Sequence, residues 1–563
     1  MQANVFVADH PNLFAIRMIN FACGPDSLKI YQEEQIHLAV GKPLLVLVTD
    51  GQTNNAPFVT RTEAHERVVS QSKPVKLDID KLKIHASNSY DKRVWLVPYM
   101  GDASYMAVAG LKHFGIDGKV LPTNTPRGYE VARKHVSTEV CYPLKGVVGD
   151  AIGFLQEQIE QTSLQAVEDK YLVMMPTTSG PCRFGKYSEV VRHFMKIEGL
   201  EKIPVVGPSS ETDYIDIPLP NGVKSSAMVK MQQILFKGIN GADLLEDIVR
   251  RFRPYAQDRA AVDELKAARL EDLGKLVTAG ADVKKLQEWG RETVSMFKAI
   301  KLRHHERFPL ILYIGEIYMR QHDPYTDFVI HRLEENGLEV VRDPITDWLF
   351  YVNKMNLRNA KRDLGLGLRS GDFRRMLRST SKAGKSILKG KYMGHVAEKL
   401  AEPFHEVLEG RHVLPHPMEI IETLERAHET HGNIEGESPL STGIAYYLMH
   451  EMVHPHGDAY ISGIFHVGPF TCMQEGVATA KIEAMVKEHR KKKPDLVFPI
   501  IHAFFGDSAS ANLASEIAVF KEQCYQKRDL LRQQHGTHHH HGPEIRGIPA
   551  GHKHAGAQIK ADR

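Results

Sequence analysis

The residues in this chain whose setting points most directly to chemistry are its five cysteines, Cys23, Cys141, Cys182, Cys472 and Cys524. Five among 563 residues do not make a disulfide scaffold. In a reducing compartment they stay thiols, as small buried hydrophobes or as ligands and nucleophiles. Four of them share a setting. Cys23 lies in INFACGPDSLKIY, Cys141 in STEVCYPLKGVVGDAIGFL, Cys182 in MMPTTSGPCRFGKYSEVVRHFM and Cys472 in FHVGPFTCMQEGVATAKIEAM. Each stands near the start of a predicted helix with Gly or Pro within three residues, and Cys23, Cys182 and Cys472 follow a predicted strand. In a parallel sheet these are carboxyl-end loops, where ligands bind. A helix N-terminus favours negative charge, which lowers a thiol pKa and suits a thiolate ligand. One such cysteine would be read as a buried hydrophobe; four in one arrangement are read as a ligand set. Cys524, in the mid-helix segment AVFKEQCYQKRD, lacks the arrangement and is assigned no role. Structural zinc sites use close cysteine pairs, whereas these ligands are isolated. The spacing leaves the metal open, and four thiolates suit a [4Fe-4S] cluster.

The elements around them read as α/β. Apolar runs at 19–21, 44–49, 94–98, 171–175 and 203–206 alternate with amphipathic helices, the pattern of parallel sheets covered on both faces. Residues 225–303 switch to helical periodicity with many charges and form a helical insert. From Phe308 the strand–helix alternation resumes, with strands at 310–314, 338–341, 461–467 and 496–501. A basic, Gly-containing stretch at 356–392 interrupts it. The domain reading is an α/β lobe over 1–80 with the first cysteine and a second over 81–222 with Cys141 and Cys182. The insert follows over 223–306, then an α/β lobe over 307–532 with Cys472 and a disordered His-rich tail over 533–563.

Net charge is +3, with 42% hydrophobic and 25% charged residues. That is an ordinary globular balance and gives no sign of a nucleic-acid partner. No apolar run reaches the roughly 18–20 residues of a spanning helix and no secretory signal opens the chain, so the expectation is a cytoplasmic protein without a membrane partner. His450-Glu451-Met452-Val453-His454 matches H-E-x-x-H, a zinc-hydrolase alternative, but Pro455 would end the helix at once. The segment 379–386 mimics a phosphate loop, yet Ser379 replaces its first glycine and a basic helix precedes it. The basic stretch around Arg374, Arg378, Lys382 and Lys385 is a solvated helix face, or a dock for an acidic partner or a CoA phosphate. Asp26, Lys145, Arg183, Lys186 and Glu475 flank the cysteines and either tune a bound cluster or cap helices.

At these motifs the sequence resembles the 2-hydroxyacyl-CoA dehydratases and their activase-related proteins. The resemblance rests on GPCRFGKYSEVV, on CGPDS followed by GKPLLVLVTDGQTNNAPFVTRTEA, on EVCYPLK, on GPFTCMQEGVATA and on LYIGEIYMRQHDPYTDFVIHRLEENGLEVV. It covers most of residues 15–525. It implies Rossmann-like lobes meeting at a low-potential cluster held by Cys23, Cys141, Cys182 and Cys472. It also implies electrons from a separate ATP-dependent activase of the actin/sugar-kinase fold, and a CoA thioester as possible substrate. Homo- or hetero-oligomers fit the same picture. Larger relatives carry ATPase lobes upstream, and nothing like their phosphate loops occurs here. The first sheet is therefore expected to be incomplete or completed by a partner. Four cysteines on iron leave no open iron for substrate, which favours electron relay over direct dehydration. The non-catalytic alternative is a cluster-binding scaffold or assembly protein.

Overall fold

The computed structural model describes residues 2–20, 24–49, 55–78, 90, 92–137, 140–178, 180, 182–210, 227–303, 306–408, 416–431, 433–450, 461–492, 498–508 and 510–535. Cys23, HEMVH beyond His450, and the His-rich tail from residue 536 lie outside the described residues. The α/β expectation is met, with ten strands in three small parallel sheets among the described residues. β1 (Ala15–Asn20) and β2 (Leu44–Thr49) pair with Ala15 opposite Leu44, and α1 (Gly24–Ala39) connects them.

The second sheet holds β3 (Val94–Val97), β4 (Gly118–Val120), β5 (Tyr171–Met174) and β6 (Val205–Val206), in the order β4-β3-β5-β6. The third holds β7 (Leu310–Gly315), β8 (Glu339–Arg342), β9 (Ile461–Pro469) and β10 (Ile500–Phe505), in the order β10-β9-β7-β8. Counted along the chain, both run 2-1-3-4. The order reverses between β3 and β5 and between β7 and β9, and open α/β sheets bind ligands beyond the carboxyl ends at such a point. Every residue of β5 and β7 is buried, as continuous apolar strands covered on both faces must be. The short β4 was not expected, because GKV carries no apolar run. β10 starts four residues later than its apolar run suggests. Pro499 has no N–H for the ladder, and its carbonyl instead accepts from Ile464.

Helices α2 (Asp102–His113), α3 (Tyr142–Gln161) and α4 (Tyr187–Ile197) pack with the second sheet, and α3 is buried from Tyr142 to Leu155. The helical insert is present as α5 (Ala227–Phe252), α6 (Arg259–Thr278) and α7 (Val283–Lys298). Asp258 and Asp282 cap the last two by accepting from Ala261 N and Lys285 N. The insert's core, including Leu245, Ile248 and Phe297, also takes in Met393, Val396 and Leu400. These come from the end of a long helical hairpin that contains the basic stretch, α8 (Ile345–Ser370) and α9 (Phe373–Ala401). Gly371, at φ +69°, turns the chain between them, and Asp372 caps α9 by accepting from Arg375 N. The chain continues through α10 (Ser438–Met449), α11 (Met473–Lys492) and α12 (Leu513–His535). The largest core joins the two four-stranded sheets, with Leu96 and Val173 from one and Ile311, Tyr313 and Phe465 from the other. Cys524 is wholly buried in it.

Candidate metal centre

Each described cysteine of the expected set stands immediately before a helix. Cys141 is the N-cap of α3 at φ −64°, ψ 140°. Cys182 is likewise extended and enters a 3₁₀ turn, Arg183–Lys186, that runs into α4. Cys472 lies between β9 and α11 and accepts from Gly476 N through its carbonyl.

These segments meet. A Cβ on Gly24, the residue after Cys23, would lie 3.0 Å from Met473 Sδ and 3.4 Å from Arg183 Nε. Arg183, the residue after Cys182, donates from Nη2 to the carbonyl of Thr471, the residue before Cys472, at 2.8 Å. The chain neighbours of Cys23, Cys182 and Cys472 therefore touch one another. Cys141 joins the same knot. Its Sγ lies 2.6 Å from Tyr187 Oη, one turn beyond Cys182, and it feels the charges of both Cys182 and Arg183.

The thiols are not activated as helix N-termini alone would suggest. Burial pushes Cys141, Cys182 and Cys472 all upward, and nearby carboxylates add to it: Glu437 for Cys182 and Glu475 for Cys472. Desolvation outweighs the helix dipole because a thiolate in a low-dielectric site costs several-fold more than one at a surface. Arg183 works against this at Cys141.

Three glutamates, half-buried Glu316 and buried Glu437 and Glu475, form the other wall. Gly315, the last residue of β7, has φ +127°, and a Cβ there would fall 1.8 Å from Val467 O. Only glycine lets β7 run this close to β9, and the chain emerges at Glu316. The Glu316 carboxylate accepts from Met319 N at 2.8 Å, and Glu437 accepts from Ile317 N at 2.6 Å. Burial pushes Glu316 up to about 7, with the charge of Glu475 adding to it. Burial also raises Glu437 well above the usual carboxylate range. The charge of Glu316 reaches all three described thiols. Glu475 is fully buried, with Oε2 2.6 Å from His466 Nε2, and His466 Nδ1 lies 2.8 Å from His502 Nδ1. The chemistry of the pair assigns the tautomer: His466 donates from Nε2 to the carboxylate and accepts at Nδ1.

The other flanking residues divide. Lys145 is buried one turn into α3 and ion-pairs with Asp507. Asp26 pairs with Arg17, and Lys186 pairs with Glu189 at 2.7 Å on the surface. Glu316, Glu437, Tyr187 and His466 were not read from the sequence. Glu316 had a signal, a charge directly after the wholly apolar LILYIG, whereas Glu437 had none. His450 ends α10, exposed, with Nδ1 2.9 Å from Tyr446 O.

Among the described residues no three His, Cys, Asp or Glu side chains are close enough to hold one metal ion. An all-thiol donor set delivered by separate loops fits a cluster, whose irons spread the ligands apart, better than a single ion. Comparison with protein-family models, with curated proteins and with solved structures returned no match for this chain.

Proposed function

We propose that this chain is a [4Fe-4S] redox protein of the 2-hydroxyacyl-CoA dehydratase and activase superfamily. Cys23, Cys141, Cys182 and Cys472 are its ligands, at the junction of Rossmann-like lobes. The observation that carries the reading is the meeting of Gly24, Arg183, Thr471 and Met473, which brings the neighbours of three distant cysteines into one knot, with Cys141 tied in through Tyr187. When bound, the cluster supplies one-electron transfer at low potential. The protein's own part is to exclude water, to hold the loops through Arg183 and to limit negative charge beside the thiolates through the burial that raises the pKa of Glu316 and of Glu437. With a cysteine for every iron, the chain relays electrons rather than binding substrate at iron. The donor is an ATP-dependent activase of the actin/sugar-kinase fold, and the acceptor is a CoA thioester or another protein's cofactor.

The test is iron and sulfide quantification on anaerobically purified wild type and on each Cys→Ala variant, with Cys524→Ala as control, followed by EPR of the reduced protein. Loss of iron in the four ligand variants, retention in the control and a reversible signal that forms faster with ATP and an activase support the reading. Iron loss in the control as well would sink the ligand assignment. A cluster that cannot be reduced would make the protein a scaffold.

A further inference from the structure

The tip of the α8–α9 hairpin inverts the usual placement of side chains. Across residues 361–391 the buried positions are Gly367, Ser379 and Ser386. Leu366, Leu368, Phe373, Leu377, Ile387 and Leu388 are exposed, Phe373 by 73% and Leu388 by 70%. Small residues fill the seam because the helices approach closely there; a Cβ on Gly367 would lie 2.9 Å from Met376 Cγ. The large apolar groups are thus left facing outward, on a part of the molecule that does not need them for its own packing.

The same segment holds ten Lys and Arg residues against Asp363 and Asp372, a net of +8 in a chain whose total is +3. Asp363 is already paired with Arg375 at 2.7 Å. On α9 the helical step separates most of the two classes of residue, with Lys391 alone falling inside the apolar stripe. Phe373, Leu377, Ile387 and Leu388 fall in a stripe about 100° wide, and Arg374, Arg378, Lys382, Lys385 and Lys389 fall in a band about 80° wide beside it. A second copy of the chain would bring two strongly positive tips together. A nucleic acid would meet the basic band and leave the apolar stripe in water. An anionic bilayer meets both, with headgroup charge for the basic band and the acyl boundary for the stripe, and needs no shaped socket.

We propose that the hairpin tip docks onto an anionic lipid surface. Phe373, Leu377 and Leu388 enter the acyl boundary, and Arg374, Arg378 and Lys382 meet the headgroups. The contact is peripheral and separate from the cysteine site. The full chain is mixed with vesicles of phosphatidylcholine, or of equal parts phosphatidylcholine and phosphatidylglycerol, and sedimented. Wild type binds the anionic vesicles and not the neutral ones, and salt weakens binding. The triple variant R374E/R378E/K382E loses about a hundredfold in affinity and F373S/L377S about tenfold. Both sets sit on the surface, so circular dichroism stays at the wild-type level. Absence of wild-type binding to anionic vesicles overturns the proposal, as does binding that survives the charge reversal. Binding that the charge variant abolishes but F373S/L377S leaves intact also overturns it, and points to an acidic macromolecule instead.

Discussion

The two four-stranded sheets share a strand order, and each delivers a cysteine just beyond its third strand, Cys182 after β5 and Cys472 after β9. Their surroundings are opposite in charge. The second sheet contributes cations, Arg183 and Lys145, together with the Tyr187 hydroxyl at Cys141. The third sheet contributes Glu316, Glu437 and Glu475 with the His466–His502 pair. Neither side is a site alone. The cationic wall reaches across to the acidic one through the Arg183 hydrogen bond to Thr471, so the centre is a property of how two similar sheets face each other.

The largest effect comes from spoiling the place where that facing is tightest. Gly315→Ala should cost roughly 3–5 kcal/mol, because both the positive φ and the approach to Val467 O forbid a Cβ; a urea midpoint close to wild type would show that β7 and β9 are not held this closely. Next are the two walls. Glu475→Ala leaves His466 buried without its acceptor and should cost about 3 kcal/mol, and Glu475→Gln should recover more than half of that by keeping a hydrogen-bond partner. Arg183→Met should cost about 2 kcal/mol and lower iron content together with stability. If Arg183→Met keeps full iron while Glu475→Ala loses it, the cationic wall is only structural.

Another effect, at the join between the two sheets, depends on pH. His322, beyond β7, accepts from Tyr325 N and bonds Thr123 Oγ1 beyond β4 at 2.9 Å, and burial pulls its pKa down to about 3. The unfolded chain takes up this proton near pH 6.5 while the folded chain resists it. Stability from this group is therefore complete above about 6.5 and falls as the pH drops, by about 3 kcal/mol near pH 4. Buried acids such as Asp150, pushed up to about 7, lose stability in the opposite direction as the pH rises. The useful measurement is accordingly a difference: between pH 7 and pH 5 the melting temperature of His322→Gln should drop less than that of wild type. The smallest effect is Cys524→Ala, about 1 kcal/mol for a trimmed core atom and no change in iron.

Local pattern made much of this legible. Apolar runs located nine of the ten strands among the described residues, within a few residues of their ends, and helical periodicity located α5 to α7. It failed where local and tertiary signals part. The basic stretch read as a solvated helix face, but its folding into the α8–α9 hairpin, where glycine at 367 lets two helices approach, had no local signal. β4 was missed because a three-residue edge strand needs only its neighbour's hydrogen bonds, not an apolar run of its own.

By itself the sequence determined the α/β class, the helical run over 225–303 and the described thiols Cys141, Cys182 and Cys472 placed at helix starts, since strand runs, caps and Gly or Pro beside a cysteine act over a few residues. Tertiary structure alone decided that Arg183 spans from one sheet to the other, that Glu316 lies within reach of three thiols, and that those thiols are raised rather than lowered in pKa. The physical reason is distance along the chain: Arg183 and Thr471 are 288 residues apart, and desolvation at their junction depends on what the second sheet buries, which no local period records.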